Sequence, residues 1–370
     1  MIPQSRQILW NLGRRRYSPT MAENPLRVLR DQIDALNGDL LHLLNERLQL
    51  IEQVQELKAR TGRPMFDPAR ESRELDGMLL ANRGPMTADQ VRAIFKEVFK
   101  LSLGHMQQET RRVLRVHRGE QPDSIYEIAG HSFGGSAQLI AGPCSVESAE
   151  QLDLVAGKLR SLGVRFLRGG AFKPRTSPYS FQGLGIAGLR MLREAADRHG
   201  MAVVSEILDP RHIDAALEYS DVLQVGTRNM YNYELLKLLG RSNKPVMLKR
   251  GFMATLEEFI LAAEYIAHEG NEQIILCERG IRTHEKWTRN TLDLAAIPLL
   301  RQETPFPVVV DVAHGTGRKD LMVPMARAAI AAGANGVMVE VHPNPPLALS
   351  DNEQQMDFDE IETFVGAVLG

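Results

Sequence analysis

The chain has 370 residues, more than one hydrophobic core usually supports, so a large domain with a smaller companion is expected. Its 44 basic and 46 acidic side chains nearly cancel, which excludes the strong positive field of proteins that bind nucleic acid or anionic membranes. Cys144 and Cys277 are too few for a disulfide framework, and no apolar run is long enough to cross a membrane. These features favour a reducing, cytoplasmic setting.

Residues 1–21 are basic but lack the apolar stretch and the small-residue cleavage site of a secretory signal. We expect this segment to be a disordered arm or the product of an upstream start, since Met21 would serve equally well as the initiator. Folded structure is therefore predicted to begin after Met21.

Residues 22–110 are predicted to form a small domain of three helices. Leucines and isoleucines recur with helical spacing over residues 24–58, where an Asn-Pro pair supplies the N-cap and a first-turn proline. A second helix is predicted to begin at Asp67-Pro68, and a third to follow the capping box of Thr87 and Gln90. The first helix would be about 50 Å long, too long for so small a domain to cover. We therefore expect a homodimer through this domain, or a tetramer if the larger domain adds a contact.

The remainder of the chain alternates between strand and helix patterns. Residues 111–136 are charged and then rich in glycine, which predicts a linker and a short hairpin. Over residues 137–370, eight short apolar runs alternate with amphipathic helices, which is typical of a (β/α)8 TIM barrel of the α/β class. The eight runs are Gln138–Ala141, Arg165–Leu167, Ala202–Val204, Val222–Val225, Val246–Leu248, Gln273–Leu276, Val308–Val310 and Gly336–Val339.

Polar or ionisable side chains follow nearly every run, at the strand ends where the active sites of such barrels lie. One such residue alone is more often a helix cap or a surface ion pair, but the shared position indicates one functional rim. Five of them are cations, and a cluster of that charge predicts a site for a highly anionic ligand such as a phosphate. The five cations are Arg168, Lys173, Arg228, Lys249 and Arg279.

A second group at the rim combines soft and hard metal ligands. Taken alone, Cys144 would be a small core residue and Asp351 a turn residue. Together with His314 and Glu340 they offer a thiolate, an imidazole and two carboxylates, which suit a borderline divalent transition metal. We expect Mn²⁺, with Fe²⁺, Co²⁺ or Zn²⁺ as alternatives, because such ligand sets accept each of them.

Long motifs over residues 125–370 resemble the type Iβ 3-deoxy-D-arabino-heptulosonate 7-phosphate (DAHP) synthases. They include AGPCSVES, FLRGGAFKPRTSPYSFQGLG, ILCERGIRTHEKWTRNTLDL, DVAHGTGR and ALSDNEQQM. The resemblance implies the condensation of phosphoenolpyruvate with D-erythrose 4-phosphate, the first step of the shikimate pathway to the aromatic amino acids. It places Cys144, His314, Glu340 and Asp351 on the family's metal-ligand positions, and the five cations on its phosphoenolpyruvate-binding positions.

The stretch Lys173, Pro174, Arg175 and Thr176 matches the erythrose 4-phosphate site of this family. The closest competitor, 3-deoxy-D-manno-octulosonate 8-phosphate synthase, uses arabinose 5-phosphate and carries an asparagine-containing loop here, so the four-carbon aldehyde is favoured. A metal that polarises the aldehyde needs no organic cofactor. With Cys144 and His314 holding the metal, we hypothesise that Lys173 donates a proton towards the aldehyde oxygen and Glu206 orients the attacking water.

Residues 24–108 resemble the all-helical chorismate mutases through NPLRVLRDQIDALN, LLNERL and RPMFDPARE. Arg47 and Lys58 lie about three helical turns apart on one face, where they can close on a small dicarboxylate. Arg30 points roughly 100° away from that face, as expected of an arginine that reaches the partner subunit's site. The resemblance implies a chorismate or prephenate site lined by Arg30, Arg47, Lys58, Asp67, Arg70, Glu71 and Ser102.

One position departs from the mutase pattern. Met106 stands where the family usually has a glutamine beside the enol-ether oxygen, and Gln107 is turned from it by about 100° on the helix. Without the motifs, a solvated helix face would be the simpler interpretation of these charges. Two hypotheses remain for the domain, and they are not exclusive: a mutase that converts chorismate to prephenate, and a dimerisation module that senses these ligands and inhibits the barrel.

Overall fold

A computed structural model describes residues 25–61, 68–175 and 177–370. The described chain divides into two compact units, with the boundary between Thr110 and Arg111. The predicted N-terminal segment 1–21, Asp67 and Thr176 lie outside the described residues, as do the side chains of Met106 and Gln107. The domain limits inferred from the sequence stay predictions.

The first unit consists of helices. The capping box at the start of α3 forms as predicted: the backbone N–H of Gln90 donates to Thr87 Oγ1 at 3.3 Å, and the N–H of Thr87 donates to Gln90 Oε1 at 2.9 Å. These two bonds satisfy amide groups that have no partner within the helix. The described helices of this unit are α1 (Pro25–Thr61), α2 (Pro68–Ala81) and α3 (Ala88–Val113), the last of which crosses the boundary and ends in the second unit.

Large apolar side chains stay exposed along one stripe of α1. From Leu26 to Leu57 their spacing alternates between three and four residues, and Arg47 stands in the same register. This repeat is that of a coiled-coil seam, which another helix normally covers. We call these residues the α1 seam: Leu26, Leu29, Ile33, Leu36, Leu40, Leu43, Leu50, Val54 and Leu57.

The second unit is a closed barrel of eight parallel strands in the order β10-β3-β4-β5-β6-β7-β8-β9. Its strands are buried on both faces, because they pack against the barrel interior on one side and against helices on the other. The strands are β3 (Gln138–Gly142), β4 (Phe166–Arg168), β5 (Ala202–Ile207), β6 (Val222–Val225), β7 (Val246–Lys249), β8 (Ile274–Glu278), β9 (Val308–Asp311) and β10 (Gly336–Glu340). The larger connecting helices are α4 (Ala149–Ser161), α5 (Gly185–His199), α6 (Ile213–Tyr219), α7 (Tyr233–Gly240), α8 (Leu256–His268), α9 (Ala296–Glu303), α10 (Val312–Thr316), α11 (Met322–Ala331) and α12 (Phe358–Val368).

An antiparallel hairpin, β1 (Tyr126–Ile128) with β2 (His131–Phe133), closes the end of the barrel where the strands begin. The ring of Phe133 packs edge-on against Phe166 with centroids 5.1 Å apart, inside the core cluster that fills the barrel. The hydroxyl of Tyr126 also accepts a hydrogen bond from the backbone N–H of Ile274 at 3.2 Å. A functional site is therefore expected at the opposite end of the barrel, where the strands end.

The predicted fold class, a (β/α)8 barrel preceded by a small helical domain, is confirmed. No helix among the described residues is both long and apolar enough to cross a membrane.

Candidate active site at the barrel rim

The predicted rim residues, apart from Cys144 and Glu340, line one pocket at the C-terminal end of the barrel. Five of the eight barrel strands end on a polar side chain, so the closed sheet brings groups from distant parts of the chain together: Arg168, Lys249, Glu278, Asp311 and Glu340. The pocket is lined by Arg168, Lys173, Pro174, Arg175, Glu206, Gln224, Gly226, Thr227, Arg228, Lys249, Phe252, Arg279, Arg289, His314 and Asp351. Sequence reasoning did not select Gln224, Phe252 or Arg289.

The four predicted metal ligands converge at this rim. One donor atom from each of Cys144, His314, Glu340 and Asp351 lies within 4.8 Å of the others. His314 Nε2 is 3.5 Å from Glu340 Oε1 and 3.7 Å from Asp351 Oδ2, which in turn is 3.4 Å from Cys144 Sγ. A thiolate, an imidazole and two carboxylates at these separations fit a divalent transition metal.

The acidic groups of the cluster control its charge. Burial opposes ionisation of Glu340, but attraction to His314 and Arg168 outweighs it and lowers the pKa of Glu340 to about 2. Burial likewise opposes the charged imidazole, yet Asp311 and Glu340 raise the pKa of His314 to about 10. The polar contact with His314 lowers the pKa of Asp351 below its ordinary value. The cluster thus holds its carboxylates ionised and attracts a positive charge.

Asp311 orients the histidine of this cluster, and sequence reasoning missed it. Its Oδ2 lies 2.8 Å from His314 Nδ1, and its Oδ1 accepts the backbone N–H of His314 at 2.9 Å. With Nδ1 engaged, Nε2 is directed towards Glu340 and Asp351. The available signal was the i, i+3 spacing of Asp311 and His314 at the end of β9.

Lys173 lies between the metal-ligand cluster and the cations. Its Nζ donates to the carbonyl of Cys144 at 2.9 Å and to Cys144 Sγ at 3.0 Å. Burial lowers the pKa of Lys173, but the negative charges of Cys144 and Glu340 raise it above the ordinary value. The ammonium is therefore held protonated beside the ligand cluster.

The five predicted cations share the pocket, but they do not form one uncompensated group as their sequence positions suggested. Arg168 Nη1 pairs with the buried Glu340 at 2.7 Å, and Lys249 pairs with the buried Asp311. Within the described part of the chain, Arg228 and Arg279 have no carboxylate partner, and Arg279 Nε is buried without a hydrogen bond. Burial lowers the pKa of Arg279, as expected where a counter-charge is missing.

Phe252 holds the unpaired arginines at the pocket wall. The guanidinium carbon of Arg279 lies 4.8 Å from the centroid of its ring, that of Arg228 at 5.4 Å and that of Arg282 at 4.4 Å. Cation–π attraction partly offsets repulsion among these charges, but it supplies no counter-ion. Arg279 and Arg228 thus remain available to an anion.

Glu206 enters the pocket from the end of β5 against a glycine. Gln224 Nε2 donates to Glu206 Oε2 at 3.3 Å, while a Cβ at Gly226 would stand only 1.9 Å from Glu206 Oε1. A side chain at position 226 would therefore displace the carboxylate. In the neighbouring loop, Arg175 Nε donates to the carbonyl of Phe181 at 3.1 Å, which anchors that loop beside Pro174.

The helical unit brings only some of its predicted residues together. Arg47 Nη1 donates to the hydroxyl of Ser102, which is buried, and its guanidinium lies over the ring of Phe99 at 5.2 Å. Arg70 Nε instead pairs with Glu74 one turn along α2 at 2.8 Å. Arg30 is exposed on α1, whereas Lys58 and Glu71 are half-buried.

The fold and the rim define a class: a (β/α)8 protein that sets a candidate metal-ligand cluster beside a pocket lined with cations. Residues 122–368 match the DAHP synthetase I family, and the chain belongs to this family. Residues 29–107 match the chorismate mutase type II family, so the helical unit carries a domain of that type.

Individual relatives agree with this assignment. The phospho-2-dehydro-3-deoxyheptonate aldolase of Thermotoga maritima is 56% identical over 244 residues, which are 66% of this chain and 72% of that protein. A crystal structure of the DAHP synthase from the same organism matches with a TM-score of 0.66 at 54% identity, over 68% of this chain and 75% of that one. A 2-dehydro-3-deoxyphosphooctonate aldolase of Syntrophotalea carbinolica is 32% identical over 261 residues, or 65% of this chain and 93% of that protein.

Proposed function

We propose that the barrel condenses phosphoenolpyruvate with D-erythrose 4-phosphate to give DAHP and inorganic phosphate, the first step of aromatic amino acid biosynthesis. The observation that carries this proposal is the position of Arg279: a buried guanidinium without a carboxylate partner opens on the same pocket as His314 and Asp351 of the metal-ligand cluster. The pocket could thereby hold an anionic substrate beside an aldehyde that a metal in the cluster would polarise. The 56% identity to the Thermotoga maritima enzyme supports this reaction over that of the octulosonate relatives at 32%.

In this proposal, the phosphoenolpyruvate phosphate and carboxylate are held by Arg228 and Arg279, with Arg168 and Lys249 completing the site. Arg168 and Lys249 are already balanced by Glu340 and Asp311, so they add directional donors with little uncompensated charge. The loop of Pro174, Arg175 and Thr176 would take the phosphate of the aldose.

Cys144, His314, Glu340 and Asp351 would hold a divalent ion, for which we favour Mn²⁺ over Fe²⁺, Co²⁺ or Zn²⁺. Such an ion, when bound, polarises the aldehyde carbonyl. C3 of phosphoenolpyruvate attacks the aldehyde carbon, Lys173 donates a proton to the developing alkoxide, and water adds at C2 before phosphate leaves. Glu206, restrained by Gln224, would orient that water.

The test is phosphate release from phosphoenolpyruvate by the full-length protein with erythrose 4-phosphate, before and after chelation. We expect turnover that a chelator abolishes and added Mn²⁺ restores. Arabinose 5-phosphate is the matched control, because it differs in the aldose alone. Faster turnover with arabinose 5-phosphate would instead assign the chain to octulosonate synthesis.

We propose that the helical domain, residues 22–110, binds chorismate or prephenate at Arg47, Lys58 and Ser102, and joins the barrel at 137–370 through the linker 111–136. The contact between Arg47 and the buried Ser102 supports this, since it holds a cation at a fixed place on the helix face.

The exposed α1 seam supports a homodimer in which α1 pairs with α1 of a second copy. Both cysteines are unpaired, which fits a cytoplasmic enzyme.

Two activities are open to the helical domain, and the full-length protein separates them. Conversion of chorismate to prephenate that is lost in Arg47→Met would establish a mutase. Slower condensation on addition of prephenate, lost in the same variant, would establish a sensor with a coupling of about 1–3 kcal/mol. If the unmodified protein shows neither of these effects, both roles are excluded.

A further inference from the structure

Two consecutive buried glutamines, Gln354 and Gln355, adjoin the metal-ligand cluster from the loop that follows β10. Gln354 is 3% exposed; its Nε2 donates to Glu340 Oε2 at 2.6 Å, and its Oε1 accepts from Arg289 Nη1 at 2.9 Å. Gln355 accepts the backbone N–H of Cys144 at 3.0 Å and donates to the carbonyl of Ser350 at 2.8 Å. Gln354 therefore touches the side chain of a predicted ligand, whereas Gln355 supports backbone.

The contact distinguishes the two oxygens of Glu340. Oε1 accepts from Arg168 Nη1 at 2.7 Å and lies 3.5 Å from His314 Nε2, on the side of the other ligands. Oε2 accepts from Gln354 Nε2. The carboxylate cannot rotate without breaking both hydrogen bonds, so Oε1 stays on the side of the ligand cluster.

Arg289 extends this contact to the wall of the substrate pocket. Its side chain is 43% exposed, lines the pocket, and lies 3.6 Å from Asp351 Oδ1 as well as contacting Gln354. A charged donor on Gln354 Oε1 polarises the amide and strengthens the N–H that points at Glu340. One pocket-wall arginine is thus joined to two of the four predicted ligands.

We propose that Gln354 is a positioning residue, which fixes Glu340 so that Oε1 is presented to a divalent transition metal, while Arg289 holds Gln354 from the pocket side. The proposal rests on the proposed function, because it requires that Glu340 bind the metal. It predicts that loss of Gln354 weakens metal binding without removing any ligand.

The experiment titrates the metal-free full-length protein with Co²⁺ alone, without substrates, and records the dissociation constant and the visible spectrum of the bound ion. In Gln354→Met the Co²⁺ dissociation constant is expected to rise about 10- to 100-fold, and the d–d bands to shift as the ligand field changes. Activity lost by this variant at low Co²⁺ should return at saturating Co²⁺. A residue that serves stability alone would give no such recovery.

Two further variants separate orientation from general damage. Asn271 is a buried amide just before β8, at the far end of the barrel, where it donates to the carbonyl of Lys244 at 2.8 Å. Asn271→Leu should lower the unfolding temperature but leave Co²⁺ affinity unchanged. If Gln354→Met does not fold, Gln354→Asn keeps an amide that is one methylene too short to bridge Glu340 and Arg289, and the same weakening is expected.

The outcomes are distinct. Wild-type Co²⁺ affinity and an unchanged spectrum in folded Gln354→Met or Gln354→Asn would overturn the positioning role and leave the proposed function intact. Failure of the unmodified protein to bind Co²⁺ would overturn the metal site itself. Arg289→Met should weaken Co²⁺ binding less than Gln354→Met does, since the bond to Glu340 remains; an equal or larger effect would contradict the proposed order of contacts.

Discussion

The candidate site at the barrel rim is buried and drawn from distant segments, whereas the candidate site of the helical unit includes exposed side chains. At the rim, Glu340 and Asp311 are fully buried, and ligands from four separate segments meet within one chain. In the helical unit, Arg30 is exposed and the α1 seam is uncovered. A closed sheet supplies both the burial and the convergence, whereas a three-helix unit leaves apolar surface that only another helix can cover.

The two units differ in the contacts that orient the side chains of their candidate sites. In the barrel, buried partners such as Asp311 and Gln354 orient the side chains that would meet a metal. In the helical unit, Ser102 is the buried partner that fixes Arg47. We therefore expect the barrel chemistry to depend on single buried residues and the helical site to depend on association of two chains.

The largest expected effect concerns the soft ligand of the barrel. Cys144→Ala removes the thiolate and should lower the condensation rate at least about 1000-fold, because metal polarisation of a carbonyl is worth several kcal/mol. Measurement of phosphate release at saturating Mn²⁺ checks this. Cys277→Ala is the matched control, as Cys277 is buried in the barrel interior outside the ligand cluster. If Cys144→Ala retains turnover, the barrel chemistry does not depend on this single buried residue, which would contradict the comparison with the helical unit.

A second prediction exploits the unpaired charge at the rim. Arg279→Met should raise KM for phosphoenolpyruvate about 10- to 100-fold, since hydrogen bonds to charged groups contribute about 1.5–3 kcal/mol. The same change should raise the unfolding temperature of the ligand-free protein, because Arg279 is buried without a counter-charge. Arg282→Met, on the same ring but exposed, should change neither quantity. Equal behaviour of the two variants would contradict the role given to Arg279.

A third prediction follows from the raised pKa of His314, about 10 against an ordinary value of 6.5. The metal-free protein binds this proton more tightly than the unfolded chain, so the resulting stability is complete below about pH 6.5 and is lost as pH rises towards 10. Because a metal must displace the proton, apparent metal affinity should rise up to about tenfold per pH unit over the same window. Mn²⁺ titrations at several pH values check this, and a flat profile would exclude His314 as a ligand.

The smallest expected effect tests the other side of the comparison. Leu36→Asp places a charge in the α1 seam and should raise the dimer dissociation constant at least about tenfold, as burial of one leucine contributes about 1.5–3 kcal/mol. Asn45→Asp puts the same side chain on an exposed position of α1 outside the seam and should leave association unchanged. Sedimentation at several concentrations measures both. A wild-type dimer constant in Leu36→Asp would show that the seam is not the contact.

Much of this architecture could be predicted from residue patterns. Runs such as Val222–Val225 became strands because both faces are buried, and the Thr87–Gln90 capping box starts α3 as expected. The pairing of Lys249 with Asp311 could not be predicted, since it depends on which strand ends face each other across the closed barrel. Gln354 was equally hidden, because an amide has no charge or spacing that marks it as a partner of Glu340.

The hairpin of β1 and β2 closes one end of the barrel, which limits how substrates and products can reach and leave the pocket. Phe133 packs against Phe166 and apolar side chains fill the interior, so the described barrel is closed at the end where its strands begin, and the pocket opens at the opposite end. In the proposed reaction, two phosphorylated substrates would enter, and the sugar phosphate and inorganic phosphate would leave, through this end of the barrel. A substitution in a rim loop is therefore expected to affect substrate entry and product release together.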